Sequence, residues 1–84
     1  MIIGVLKETQ KGDNRVAITP KIAKQLIEKG FEIRVEEDAG ANSSYKNSDY
    51  SKSGASIRSK KDLFKNADIL IKINPFFKSF KSLL

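Results

Sequence analysis

Three polar side chains stand where the sequence predicts the ends of strands. Arg15 follows the polar loop after a first apolar run, and Lys72 and Asn74 close a later apolar run. Ligands of α/β folds bind at the carboxyl ends of parallel strands. A guanidinium at such an end can hold a carboxylate or a phosphate through paired hydrogen bonds. We therefore predict that Arg15, Lys72 and Asn74 contribute to substrate binding.

Each of these residues also has a purely structural interpretation. Arg15 could be a surface or packing residue, and Lys72 and Asn74 could simply form the exit of a strand, where a turn favours Asn. Glu8 ends the first apolar run and could orient Arg15, although a glutamate in that position is more often solvated. The residues themselves identify no catalytic group.

Several kinds of chemistry are excluded by composition. The chain has no His and no Cys, so it lacks the usual general base, the usual metal ligands and any disulfide. We predict no metal site. The five glycines do not show the Gly-x-Gly-x-x-Gly spacing that holds a dinucleotide pyrophosphate, so we expect no cofactor-binding residue in this chain. Tyr45 and Tyr50 are interpreted as core aromatics.

The charge and hydropathy patterns argue against nucleic acid and membrane partners. The chain carries 16 Lys and Arg against 10 Asp and Glu, a net charge of +6. These cations are spread along the chain and are not interleaved with aromatic side chains, as a nucleic-acid surface requires. No run approaches the roughly 18 apolar residues of a membrane helix, and the N-terminus lacks the pattern of a signal peptide. We therefore expect a cytoplasmic protein that binds no nucleic acid and does not insert into a membrane.

The first 36 residues have the pattern of a βαβ unit. Residues 2–6 form a short apolar run rich in β-branched side chains, which is typical of a strand buried on both faces. Thr19 and Pro20 are a favourable helix start, and Gly30 is a favourable stop. Residues 31–36 alternate apolar and charged side chains, which predicts a second strand.

The rest of the chain continues the alternation of helices and strands. The predicted elements are a helical turn at 47–53, a strand at 55–57, a helix at 60–66 and a strand at 67–73. This order favours an α/β fold with a mostly parallel sheet. We assign residues 1–75 to one α/β lobe, which the sequence leaves incomplete. Residues 76–84 form an apolar, Phe-rich tail outside that pattern.

Ordered segments along residues 1–75 resemble the N-terminal domain of the alanine dehydrogenase and NAD(P) transhydrogenase alpha-subunit family. They are residues 1–8, 14–20, 26–30, 35–36, 39–41, 49–50, 54–55 and 67–75. The resemblance implies a Rossmann-like, flavodoxin-like lobe. In the family a second lobe carries the glycine-rich loop for NAD(H), and active-site residues come from both lobes. The resemblance therefore implies that this fragment lacks its nucleotide-binding half and is inactive alone.

Position 74 separates the two branches of the family. In alanine dehydrogenases the Arg that matches Arg15 binds the carboxylate of pyruvate or alanine, and a Lys stands at the position of Asn74. Asn cannot supply a titratable ammonium. The chain therefore looks more like a transhydrogenase alpha subunit. The first lobe of an alanine dehydrogenase is the alternative, and an interaction module with Phe76, Phe77 and Phe80 as contact residues is a third.

The transhydrogenase resemblance implies what the full enzyme does and with what it assembles. That enzyme transfers hydride from NADH to NADP+ and couples the transfer to proton movement across a membrane, so its cofactors are NAD(H) and NADP(H). The expected partners are the remaining lobe or other subunits, in a homo-oligomer at the cytoplasmic face of the inner membrane. We expect neither nucleotide to bind tightly to this chain alone.

Overall fold

The computed structural model describes residues 1–8 and 15–73, which contain four strands and three α-helices. The strands are β1 (Ile2–Val5), β2 (Glu32–Glu36), β3 (Ser56–Arg58) and β4 (Ile69–Ile71). The helices are α1 (Pro20–Glu28), α2 (Asn47–Ser53) and α3 (Lys60–Asn66), and a 3₁₀ turn at Ala41–Ser43 precedes α2. Each predicted element is present, although β4 is shorter than the predicted 67–73.

All four strands are parallel and lie in the order β3-β2-β1-β4. In the register, Val5 pairs with Val35 on one side and with Ile71 on the other. The central strand β1 is buried because both of its edges are paired and both of its faces are covered. This is the α/β architecture with a parallel sheet that the sequence predicts.

Helices cover the two faces of the sheet. Side chains alternate along a strand, so Ile3 and Val5 point to one face and Gly4 to the other. Ile3 and Val5 belong to a buried cluster with Ala23 of α1 and Tyr50 of α2. A Cβ built on Gly4 would instead come within 3.3 Å of Leu63 of α3. Helices α1 and α2 therefore pack on one face and α3 on the other.

Local sequence signals set the ends of these helices. Thr19 Oγ1 accepts a hydrogen bond from Ile22 N at 3.3 Å, and Pro20 is the first residue of α1. Gly30, with φ of +99°, and Gly54, with φ of +102°, follow α1 and α2 in the left-handed region that glycine adopts without strain. Ser59 Oγ accepts from Asp62 N at 3.2 Å and caps α3. These caps fix where the helices begin and end, and the parallel pairing places the carboxyl ends of the strands at one edge.

Three predictions fall on residues outside 1–8 and 15–73. They are the polar loop at 9–14, Asn74 as part of the substrate site, and the Phe-rich tail at 76–84. Within the described ranges, no helix has both the length and the apolar character needed to cross a membrane.

Candidate functional site

The carboxyl ends of β1 and β4 lie side by side. The last paired residues are Val5 and Ile71, and the Leu6 N–H donates to the Ile71 carbonyl oxygen at 3.0 Å, one residue beyond the strand. The segments that leave the two strands, residues 6–8 and 72–73, therefore run next to each other. We call the surface formed by these two segments the β1/β4 edge.

A buried carboxylate organises the β1/β4 edge. Glu8 is 5% exposed, and its two oxygens have different partners on the segment that follows β4. Oε1 lies 3.3 Å from Lys72 Nζ, and Oε2 accepts a hydrogen bond from Ile73 N at 2.6 Å. One glutamate thus fixes both the side chain of Lys72 and the main chain just after it.

Lys72 is held by more than one acceptor. Its ammonium also lies 3.4 Å from the Lys7 carbonyl oxygen, in hydrogen-bonding geometry. The side chain of Lys72 is 12% exposed and that of Glu8 is 2% exposed, so the ion pair is largely withdrawn from water. An ammonium has three donors. Two of them face protein oxygens of the described residues, and the local charge of the pair is zero.

Glu36 connects the β1/β4 edge to the neighbouring strand. The Lys7 N–H donates to Glu36 Oε1 at 2.8 Å, at the carboxyl end of β2. The Glu37 N–H in turn donates to the Arg58 carbonyl oxygen of β3 at 3.0 Å. Hydrogen bonds therefore link the exits of all four strands. Such a linked edge keeps its polar groups in fixed positions relative to one another.

Arg15 lies on a segment whose position is set by Tyr50. Arg15 is exposed, whereas Ile18, three residues later, is buried. The Tyr50 hydroxyl donates a hydrogen bond to the Ile18 carbonyl oxygen at 2.8 Å. Tyr50 is fully buried, and burial is the main cause that raises the pKa of its phenol to about 12. Tyr50 is thus a core aromatic, as the sequence predicts, and it anchors the chain between Arg15 and α1.

The sequence did not reveal the main organiser of the edge. The interpretation of Glu8 as a solvated residue is wrong, because its carboxylate is buried against Lys72 and Ile73. Lys72 lies at the end of β4, where the sequence places it. For Lys72 the local signal was its position, a charged residue directly after an apolar strand. The signal for Glu8 becomes clear only when β1 and β4 are paired.

The glycines and acidic side chains of the described residues have structural positions. Gly30 and Gly54 end helices, Gly4 lies within β1, and Gly40 packs against Tyr50. None of these four glycines lies between β1 and α1, where a dinucleotide loop would be, and residues 9–14 of that connection lie outside the described ranges. Across residues 1–8 and 15–73, no group of three or more acidic, His or Cys side chains could hold a metal ion.

A parallel α/β sheet with polar residues at the strand exits defines a lobe of the doubly wound type. The sequence model of the family described as "Alanine dehydrogenase/PNT, N-terminal domain" matches residues 4–83. The chain therefore belongs to the alanine dehydrogenase/PNT family, as a representative of its N-terminal domain. Its relatives are oxidoreductases of two kinds, the NAD(P) transhydrogenase alpha subunits and the alanine dehydrogenases.

Both kinds of relative are about equally similar in sequence. The chain is 36% identical over 74 residues to the NAD(P) transhydrogenase subunit alpha of Haemophilus influenzae, covering 88% of this chain and 14% of that protein. It is 37% identical over 73 residues to the alanine dehydrogenase of Staphylococcus saprophyticus, covering 87% and 20%. The chain thus spans a fifth or less of the length of these relatives.

Solved structures of both kinds share the fold. The transhydrogenase from Sinorhizobium meliloti matches with a TM-score of 0.81 and 32% identity, over 86% of this chain and 20% of that one. An L-alanine dehydrogenase matches with a TM-score of 0.85 and 29% identity, over 96% and 23%. The α/β architecture is therefore that of the family.

Proposed function

We propose that this chain supplies the N-terminal lobe of an NAD(P) transhydrogenase subunit alpha and lines one wall of its active site. The ordered β1/β4 edge, where Glu8 fixes Lys72 and the main chain at Ile73, supports a place in the active site, and the residue that follows this edge carries the choice of a transhydrogenase. Position 74 follows directly, and it is Asn in this chain. The reaction of the complete enzyme is hydride transfer from NADH to NADP+, coupled to proton movement.

Three residues of the chain are proposed to face the bound ligand. Arg15 supplies an exposed guanidinium suited to a carboxylate or a phosphate. Lys72 contributes an oriented donor at the end of β4, and Asn74 contributes an uncharged amide. Asn donates and accepts hydrogen bonds but does not titrate, which fits hydride transfer between nucleotides better than proton transfer to a keto acid. No residue is assigned a catalytic role.

The nucleotides are proposed to bind elsewhere in the enzyme. The five glycines of the sequence do not have the Gly-x-Gly-x-x-Gly spacing, so this lobe is not proposed to cradle a pyrophosphate. NAD(H) and NADP(H) would be held by further domains or subunits. The chain covers 14% of the transhydrogenase relative, which leaves ample length for them. The proposed partners are those domains or subunits, in a homo-oligomer at the cytoplasmic face of the membrane.

The second candidate is the first lobe of an alanine dehydrogenase. The observation that favours it is the match to a solved L-alanine dehydrogenase over 96% of this chain, with a TM-score of 0.85. The ordered edge fits this candidate as well. Asn74 argues against it, because it replaces the ammonium that the family resemblance assigns to keto-acid chemistry.

Chimeric enzymes distinguish the two candidates. The matching N-terminal residues of the H. influenzae transhydrogenase subunit and of the S. saprophyticus alanine dehydrogenase would each be replaced by this chain. We expect the first chimera to keep NADH-to-NADP+ transhydrogenation and the second to lose reductive amination of pyruvate. The reverse result would favour the alanine dehydrogenase candidate. Circular dichroism of both chimeras checks that each one is folded.

Matched variants of the transhydrogenase chimera test the role of Arg15. Arg15→Met removes the proposed anion contact, whereas Lys24→Met removes another exposed cation, on α1. We expect Arg15→Met to reduce kcat/KM by about tenfold or more, the effect of losing a charge-assisted hydrogen bond. Lys24→Met should leave it unchanged. Equal effects of the two variants would indicate a general loss of positive charge instead of a specific contact.

Calorimetry with the chain alone tests where the nucleotide binds. NADH titrated from micromolar to millimolar concentrations should give no saturable binding. Saturation in that range would contradict the assignment of the nucleotide site to other domains. The chimeras remain informative in that case, because they measure the reaction and not the location of the cofactor.

A further inference from the structure

We propose that residues 75–84, which contain the Phe-rich tail, form an amphipathic helix that packs beside α3 and covers exposed apolar side chains next to β4. The surface next to β4 is thus a docking site for a segment of the same chain. The inference does not depend on the proposed function, because it concerns how the chain continues after β4.

β4 is the least covered strand of the described sheet. Its inner edge pairs with β1, and no strand within residues 1–8 and 15–73 pairs with its outer edge. The helices of the same residues pack chiefly on other strands, α1 on β2, α2 on β3, and α3 on β1 and β2. β4 therefore has no helix centred on it in the described ranges, although its three residues are all apolar.

Two apolar side chains border the open face of β4 beside α3. A Cβ built on Gly4 would lie 3.0 Å from Leu70 Cδ2 and 3.3 Å from Leu63 Cδ2, so Leu70 points to the face that α3 covers. Phe64 lies about 100° further round α3 than the buried Leu63, which is the side toward β4 in a right-handed crossover. Phe64 is 55% exposed and Leu70 is half-buried. We call Phe64 and Leu70 the β4 patch.

The sequence of the tail has the spacing of a helix with one apolar face. At about 100° per residue, its apolar side chains fall within an arc of about 120°, and its Lys and Ser residues occupy the rest of the circumference. Asn74 and Pro75 repeat the start of α1, where an N-cap residue precedes a proline. The cap would use the amide oxygen of Asn74 and leave its N–H donors available for a ligand. The apolar side chains are those of Phe76, Phe77, Phe80, Leu83 and Leu84.

The position and length of this helix fit the β4 patch. Residues 75–84 would rise about 15 Å as a helix, which is about the height of strands of three to five residues. A chain that leaves β4 away from β1 continues the direction of the β3-to-β4 crossover, and right-handed crossovers in one direction lie on one face. That face is the face of α3. The family model extends to residue 83, so the tail matches as part of the same domain.

Cα chemical shifts of the 84-residue chain test whether the tail is helical. A helix of about ten residues is not stable by itself in water, so helical shifts over residues 75–84 require packing on a surface. We expect these shifts at concentrations where sedimentation equilibrium shows a monomer. Random-coil shifts would overturn the proposal. Helical shifts that arise only when the chain dimerises would also overturn it, because a second copy would then be the partner.

Matched variants test which surface the tail contacts. Phe64→Ser removes the exposed ring from the β4 patch, and Ile22→Ser removes a side chain of α1 that is 42% exposed on the opposite face. We expect Phe64→Ser to reduce the helical fraction of the tail by about twofold or more, because a marginal helix depends on its apolar contacts. Ile22→Ser should leave this fraction unchanged. Equal effects of the two variants, or no effect of Phe64→Ser, would overturn the β4 patch as the docking site.

A variant of the tail tests the contact from the other side. Phe80→Ser should reduce the helical fraction as Phe64→Ser does, and the double variant should show little further loss, since both changes disrupt the same packing. Ser82→Ala on the polar face is the control and should retain the helix. Independent, additive losses from Phe64→Ser and Phe80→Ser would show that the tail docks elsewhere and would overturn the proposal. Chemical shifts of β1 and β2 confirm that each variant is folded.

Discussion

The hydroxyl of Tyr50 donates a hydrogen bond to the carbonyl oxygen of Ile18 at 2.8 Å, across 32 positions of the sequence. This contact joins α2 to the segment that runs from Arg15 into α1. Both residues are buried, so water cannot replace either partner without opening the core. The position of the Arg15 segment therefore depends on a residue that lies far from it in the chain.

Tyr50→Phe should destabilise the fold while keeping the aromatic ring in place. The buried Ile18 carbonyl would lose the partner that Tyr50 provides, at a cost of about 1–3 kcal/mol in the free energy of unfolding. Urea denaturation of the 84-residue chain measures this change. Tyr45→Phe is the control, because no hydrogen bond of its hydroxyl is seen among the described residues. A similar loss in both variants would show that the Tyr50 contact is not the cause.

Stability should fall in alkaline solution because of Tyr50. Burial, with smaller effects of Tyr45 and Asp49, raises the pKa of Tyr50 from the ordinary 10.0 to about 12. The folded state therefore retains a proton that the unfolded state releases between these two values. The free energy of unfolding should be unaffected by this group below pH 10 and should decrease from pH 10 to pH 12.

Urea midpoints at pH 9 and pH 11 test this dependence. The native chain should lose more stability between these two values than Tyr50→Phe, which has no phenol at this position. Other groups titrate equally in both proteins, so the difference isolates Tyr50. Parallel curves for the native chain and the variant would show that the phenol ionises as readily when folded as when unfolded.

Gly40→Ala should be destabilising for steric reasons alone. Gly40 has φ of −97°, which any residue can adopt. A Cβ there would lie 2.8 Å from Tyr45 Cβ and 2.8 Å from Tyr50 Cε2, too close for both tyrosines to keep their positions. We expect a loss of about 1–3 kcal/mol, typical of overpacking. Thermal unfolding followed by circular dichroism measures it.

Gly30→Ala should be destabilising because of backbone strain and not because of steric contact. The site is open, with no other atom within 4 Å of the added Cβ, but φ is +99°. The cost there is backbone strain of about 1 kcal/mol, and Asn should be tolerated better than Ala because it adopts the left-handed region more readily. The Asn variant should therefore be more stable than the Ala variant at Gly30 but not at Gly40. The opposite result at either position would mean that backbone strain and overpacking have been assigned to the wrong glycines.

Local patterns were sufficient to predict most of the fold. Thr19, Pro20 and Gly30 mark the ends of α1 through capping preferences that act within a few residues. The apolar run of β1 and the alternating pattern of β2 reflect how many faces of each strand are covered. The order of strands and helices then favours a parallel sheet, since right-handed crossovers leave few other arrangements.

The organisation of the site could not be predicted in the same way. Glu8 has polar neighbours in the sequence, and its partner Lys72 is 64 positions away. The two residues meet only because β1 and β4 pair in one register, with Val5 opposite Ile71. A shift of this pairing by one residue would turn each side chain to the other face. The burial of Glu8 is thus a property of the sheet and has no signal in the local sequence.

Asn74→Lys should convert the alanine dehydrogenase chimera from an inactive to an active enzyme. The ammonium restores the titratable group that the family resemblance assigns to keto-acid chemistry at this position, and proton transfer by such a group is worth about a hundredfold or more. The measurement is reductive amination of pyruvate by the chimera, with kcat and KM determined separately. Asn74→Met is the control, because it adds comparable length without a charge.

Equal activity of the Lys and Met variants, or full activity with Asn74 itself, would mean that position 74 does not separate the two branches of the family. The first lobe would then be compatible with either reaction, and the choice between them would lie in the rest of the enzyme.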